Sequence, residues 1–341
     1  MDIFDADLTR SVARPRRHVA VLLAAISGLG GLAGAAQAES ILFIGNSFTY
    51  GALASVQNFR TDSVTDLRGT DIGGVPALFK AFTTQAGLDY DVFLETQPGS
   101  NLDYHYNNQL PLIDRAWDKV VMHGQSNLDF AAPNNPGKIS TYTGLLGSVF
   151  QAQNPAVDIS LTATWSRADL TYQTPSPWLG QDITAMGTDV HAGYLSAAAA
   201  NPTIVDRVNP VGLAWNRAFA AGVADTNPYD GISPGQINLW ASDSYHASNH
   251  GYYLHALTVF GMVTGMDPRS LGGQESAAME LGFSAAETYA LQSIAHEAIA
   301  AVPEPSTWAM MVLGAGLLLW CSRRVPAGQT AAADTTTLSP H

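Results

Sequence analysis

The sequence predicts one α/β domain, a parallel sheet of five strands in a three-layer α/β/α arrangement with helices on both faces. Three observations carry this. Short apolar runs of strand length recur along the body of the chain. Longer stretches of helical length separate them, as βαβ crossovers require. The polar residues best suited to chemistry fall directly after the runs, often beside a glycine.

The first strand is predicted at residues 41–44, Ile-Leu-Phe-Ile, and Gly45 ends it. Further strands are expected at 91–94, 120–122 and 159–162, with a weaker fifth at 203–205. Helices are expected at 75–85, 141–151, 183–199, 213–221, 250–263 and 285–302. The loop-rich stretch 56–74 reads as an insertion near the first strand, and 171–181 as another long loop. Long loops in such a sheet serve the substrate side or simply vary. No internal repeat interrupts this order.

The ends of the 341-residue chain have a different character. Residues 1–38 read as an export signal: Arg14, Arg16 and Arg17 precede an apolar Gly/Ala-rich stretch at 19–33, and Ala36-Gln37-Ala38 fits a cleavage site. Near the C-terminus, Pro303-Glu304-Pro305 precedes an apolar stretch at 308–320, and Arg323-Arg324 follow. That stretch is short for a stable membrane span, which needs about 20 residues. Its three-part order resembles the PEP-CTERM sorting signal of Gram-negative bacteria, covering 302–324. The resemblance implies transient membrane anchoring, cutting by an exosortase-like protease after signal peptidase has acted, and delivery to the cell surface or extracellular matrix. Residues 325–341 are expected to form a disordered tail.

A body at 39–301 remains, long enough for one well-buried domain. The only cysteine, Cys321, lies outside it, so the body has no disulfide, thiolate metal site or cysteine nucleophile. The net charge of −13 argues against nucleic acid as a partner.

Ser47 follows the first strand within Gly45-Asn46-Ser47-Phe48-Thr49. In a doubly wound sheet that position opens into the crevice beyond the strand ends. Taken alone, the pattern is better explained by Asn46 or Ser47 capping the next helix. Asp243-Ser244-Tyr245-His246, near the opposite end of the body, changes that balance. A carboxylate three residues before an imidazole can hold its Nδ1–H and leave Nε2 facing a nucleophile. Donors for a developing oxyanion are available at Gly99, after the second strand, and in Gly124-Gln125-Ser126-Asn127, after the third. The alternatives there are a turn glycine and a capping asparagine.

Together these blocks resemble the SGNH (GDSL-like) hydrolase superfamily, in the wording of its subgroup beginning Gly-Asn-Ser-Phe-Thr. Gly45-Asn46-Ser47 corresponds to the first block and Gly99 to the second; Asp243, His246 and Gly251 correspond to the last. Trp117-Asp118, Thr164-Trp165 and Pro210-Val211-Gly212 also look like that subgroup's strand edges. The resemblance implies a flavodoxin-like sheet of order 2-1-3-4-5 and ester hydrolysis without metal or other cofactor. It implies Ser47, His246 and Asp243 as the catalytic set, and an oxyanion hole from Ser47, Gly99 and Asn127. The third block departs from the usual Gly-x-Asn-Asp, since its asparagine comes one position late; Gln125 or Ser126 could stand in that place instead.

The expected function is therefore that of an exported serine esterase acting on carboxylic esters, with acetylated extracellular carbohydrate as a candidate substrate. A lipase or acyltransferase would use the same residues, and a non-catalytic surface protein could keep the fold. His246, His250 and His255 could suggest a metal, but Asp243 is the only nearby carboxylate and the catalytic reading already uses it. His105 and His123 are expected to shape the pocket. Tyr104, Trp165, Trp178 and Trp215 could stack on sugars, although large aromatics at strand edges are more often core.

Overall fold

A computed structural model describes residues 38–302. The predicted export signal, sorting segment and tail therefore lie outside the described residues, apart from Ala38 and Val302 at their borders. Among the described residues no helix is long and apolar enough to cross a membrane.

The strands are β1 (Glu39–Gly45), β2 (Thr65–Asp66), β3 (Tyr90–Thr96), β4 (Lys119–Met122), β5 (Asp158–Thr162) and β6 (Arg207–Asn209). The helices are α1 (Ser47–Tyr50), α2 (Gly74–Gln85), α3 (Leu102–Asn108), α4 (Leu110–Ile113), α5 (Gly137–Gln153) and α6 (Ala168–Tyr172). They continue with α7 (Thr184–Ala200), α8 (Val211–Ala220), α9 (Asn249–Thr264), α10 (Ser276–Glu280) and α11 (Ala285–Ala300). All strand pairs are parallel, in the order β2-β3-β1-β4-β5-β6.

The sheet thus has six strands where five were expected. Without the two-residue edge strand β2, the order is the expected 2-1-3-4-5. β2 comes from the 56–74 stretch, whose scattered polar residues hide a strand too short to have a period. Asp66 stabilises the turn after it, its carboxylate accepting from the backbone N–H groups of Arg68 and Thr70.

The last strand is also displaced, lying at Arg207–Asn209 instead of 203–205. The apolar Ile204 and Val205 belong to a turn, both amides donating to the Asn201 carbonyl after α7. The true strand is an edge with a single apolar residue, Val208, and is held by a bidentate Arg207–Asp158 pair at 2.6 and 2.9 Å. The six predicted helices are all present, with shifted ends. α11 stops at Ala300, just before Val302, the residue that precedes Pro303, as the steric restriction before proline requires.

Alternation along β1 separates two cores. Ile41 and Phe43 join the core beneath α2, α8, α9 and α11, while Leu42 and Ile44 join that beneath α3, α4, α5 and α7. Each fully buried side chain of this kind contributes about 1.5–3 kcal/mol, which makes β1 a rigid support for whatever follows Gly45.

Candidate active site

The strands are parallel, so their carboxyl ends lie along one edge, where ligands of open α/β sheets gather. Gly45 ends β1 there. A Cβ added to it would lie 2.2 Å from Thr49 Oγ1 and 2.5 Å from His123 Nε2, so only glycine fits. Asn46 follows in extended conformation and caps α1, its Oδ1 accepting from Phe48 N. Its Nδ2 donates to the carbonyls of Ser100 and Gly124, both at 2.9 Å. One amide thus fastens the ends of β1, β3 and β4 together. The capping expected at this turn exists, and Asn46 performs it. Ser47, the first residue of α1, is left with a free role; it is 6 % exposed, and Tyr252 donates its hydroxyl to the Ser47 carbonyl.

The histidine half stands on a loop. Asp243 Oδ2 accepts from His246 Nδ1 at 2.6 Å, and Oδ1 accepts from the backbone N–H groups of Tyr245 and His246 at 3.1 and 2.9 Å. Burial pushes the Asp243 carboxyl up, but these three donors outweigh it and hold the group below its ordinary value. The tight turn puts Ser244 at φ 57°, a left-handed conformation that costs a non-glycine residue about 1–3 kcal/mol. Neighbours stabilise it: Asp169 N donates to the Ser244 carbonyl, and Trp165 Nε1 to that of Tyr245.

Phe48 joins the two halves. Its ring stacks on Trp165 at 4.1 Å and meets the His246 ring edge-on at 5.6 Å. His246 therefore stands beside the residue that follows Ser47. No hydrogen bond joins Ser47 Oγ to His246 among the described residues, a separation common in such sites before substrate arrives.

Gly99 lies in a turn at φ 67°, with nothing within 4 Å of the position a Cβ would take. The third block behaves residue by residue. Gln125 is committed: its Nε2 donates to the Gly99 carbonyl at 3.0 Å and its Oε1 accepts from Phe130 N. Ser126 Oγ and Asn127 Oδ1 are buried without partners. Unpartnered buried polar atoms are rare in folded proteins and gather where a ligand or water belongs.

Two histidines flank α1. His123 Nδ1 bonds the Gly124 carbonyl, so its Nε2 accepts from the Thr49 hydroxyl at 2.6 Å. Burial lowers its pKa to about 4 despite that carbonyl. Burial likewise lowers His255, on α9, to about 3. Both are neutral at physiological pH. The other two histidines weighed and set aside as metal ligands point elsewhere, His246 to Asp243 and His250 to Glu287. Trp165, Trp178 and Trp215 are core residues with no exposed face.

Sequence reasoning missed three features. Arg167 lies 3.5 Å over the Tyr245 ring and is paired with Asp169. Asn46 fastens three strand ends beyond its capping role. A buried chain runs from Glu95 through His105 to Ser100. A carboxylate inside the apolar strand β3 was the available signal for this chain.

Residues 301–325 match the PEP-CTERM protein-sorting motif. No curated protein matches the chain. A DUF4886 family protein from Bacteroides uniformis shares its fold with a TM-score of 0.52 at 17 % identity, over 79 % of this chain and 99 % of that one. A catalytic mutant of an acetylxylan esterase from Geobacillus stearothermophilus gives 0.40 at 14 % identity, over 72 % and 95 %. The psychrotrophic esterase EstA from Pseudoalteromonas sp. gives 0.42 at 10 % identity, over 67 % and 97 %. The chain thus carries a PEP-CTERM sorting motif after an α/β domain whose fold is shared with the DUF4886 family protein and whose strand order is the one its resemblance to SGNH hydrolases implies.

Proposed function

We propose that the protein is an exported serine esterase. The observation that carries this reading is the Asp243–His246 pair, seated against Phe48 beside Ser47 at the carboxyl end of β1. Ser47 Oγ attacks the ester carbonyl while His246 Nε2 takes its proton. His246 then gives that proton to the departing alkoxide, and water repeats the cycle on the acyl-enzyme. Asp243, held below its ordinary pKa, stays ionised and stabilises the imidazolium. The N–H groups of Ser47 and Gly99, with Asn127, receive the oxyanion.

The segment at 1–38 acts as the export signal, and the sorting motif delivers the enzyme to the cell surface. There its substrate is an ester of neutral carbohydrate bearing small acyl groups such as acetyl. The charge of −13 supports a neutral polymer over a polyanion. Hydrolysis of p-nitrophenyl acetate by the purified protein, with Ser47→Ala as control, tests the reading. Turnover that survives Ser47→Ala contradicts it.

A further inference from the structure

We propose that the buried chain Glu95–His105–Ser100 is a positioning device that holds the turn at 97–100, so that the Gly99 N–H faces the acyl oxygen of an ester at Ser47. The proposal rests on the esterase reading and goes beyond it in assigning residues that do not touch substrate.

The chain is continuous and sealed. His105 Nδ1 bonds Glu95 Oε2, and His105 Nε2 lies 2.8 Å from Ser100 Oγ. Glu95 and His105 are 0 % exposed and Ser100 only 7 %. The residues come from both sides of the turn, Glu95 from the end of β3 and His105 from α3. Glu95, by accepting from Nδ1–H, fixes the ring so that Nε2 meets the Ser100 hydroxyl. That hydroxyl also lies 2.9 Å from the Gln97 carbonyl and 3.4 Å from that of Gly45. With its one hydrogen directed to Nε2, that oxygen links the turn to α3 and lies against Gly45, two residues before Ser47.

The turn is also tied from outside. Asn46 Nδ2 holds the Ser100 carbonyl and Gln125 Nε2 that of Gly99. Arg68, just after β2, donates to the Thr96 carbonyl at 3.1 Å and bonds the Gln97 side chain, with its guanidinium 4.0 Å from Glu95 Oε1. Buried ionisable pairs are a poor way to add stability, whereas buried polar networks fix one geometry; in this one a single atom, Glu95 Oε1, lacks a hydrogen-bond partner and faces the Arg68 guanidinium at 4.0 Å. Here the geometry fixed is that of an exposed glycine in left-handed conformation, in the turn whose Ser100 carbonyl is held by Asn46, the residue before Ser47. Although it has the composition of a catalytic triad, Ser100–His105–Glu95 has its serine and imidazole already bonded to each other and its histidine and carboxylate fully buried, so its effect is on the backbone.

Ser100→Ala removes one oxygen atom and leaves the fold intact. The expected result is a fall in kcat of about tenfold, a fraction of the 10²–10³ that a deleted oxyanion donor costs. KM stays within twofold, and amide hydrogen exchange rises across 97–101. His105→Ala behaves likewise, and His105→Gln, whose amide reaches Ser100 from the same side, recovers part of the lost kcat. If Ser47→Ala abolishes turnover while Ser100→Ala keeps kcat within twofold of wild type, the positioning role is overturned and the esterase reading stands. If turnover survives Ser47→Ala, the esterase reading falls, and with it the role at the oxyanion. Unchanged exchange at 97–101 in Ser100→Ala overturns the proposal in either case.

Discussion

Two Ser–His–carboxylate sets stand at the same edge of the sheet, alike in a carboxylate bonded to the imidazole Nδ1 and in a buried serine, and different in the serine–imidazole bond and in the exposure of the histidine–carboxylate pair. Ser100, His105 and Glu95 are buried, with serine and imidazole already hydrogen-bonded. In the other set Asp243 and His246 are joined at 2.6 Å and partly exposed, while Ser47 makes no hydrogen bond to His246. In the closed set the serine and imidazole are already bonded to each other, and the one buried atom left without a partner is the second carboxylate oxygen, Glu95 Oε1. The open set leaves its serine without a bond to its imidazole, which is what the proposed nucleophile requires. Composition alone does not identify a catalytic triad; the sets are distinguished by whether serine and imidazole are already joined and by the exposure of the histidine–carboxylate pair, since the two serines are equally buried.

The predictions that break or sharpen this comparison begin with the open set. Ser47→Ala is predicted to lower kcat on p-nitrophenyl acetate at least a thousandfold, since loss of a nucleophile removes most of the covalent route. Steady-state kinetics check it. Asp243→Asn retains the shape but cannot stabilise the imidazolium, and should lower kcat about a thousandfold with little change in KM.

Asn46→Ala tests what joins the sets, because its Nδ2 binds the Ser100 and Gly124 carbonyls. Losing that clamp and the α1 cap should cost about 2–4 kcal/mol, read from the denaturant midpoint.

The smallest effect concerns pH. His123 and His255 have folded pKa values of about 4 and about 3, below the ordinary 6.5, so the unfolded chain binds their protons first. Their contribution is complete above pH 6.5 and is lost as pH falls from there toward the folded values. His255→Phe should reduce the slope of stability against pH in that window by about 1.4 kcal/mol per unit. Denaturant titrations at pH 7, 6 and 5 measure it, and an unchanged slope means His255 is not buried in neutral form.

The sequence made the central fold and the open set legible for the same reason. The strands at 41–44 and 120–122 are apolar runs buried on both faces, and those at 91–94 and 159–162 carry buried apolar residues at alternate positions, so burial imposes their composition. Ser47, Asp243 and His246 lie at sharp boundaries after such runs or in one short loop, so linear spacing already encodes their geometry. β2 and β6 were illegible because edge strands of two and three residues are too short to show a pattern; Arg207 and Thr65 look like loop residues. Glu95–His105–Ser100 spans only eleven residues; the carboxylate in strand β3 signals it, but which residues join it depends on burial, which a histidine in a polar helix does not reveal. The commitment of Gln125 to the Gly99 carbonyl was hidden similarly, since any of Gln125, Ser126 and Asn127 could have faced the oxyanion.

Covalent trapping tests most directly which set is catalytic. The purified protein is treated with a fluorophosphonate and the adduct located by mass spectrometry of its peptides. A single phosphonylated residue, Ser47, with labelling abolished in Ser47→Ala and Ser100 untouched, is the predicted result. An adduct on Ser100, or an unlabelled Ser47 in folded protein, contradicts the assignment of the open set as the catalytic one.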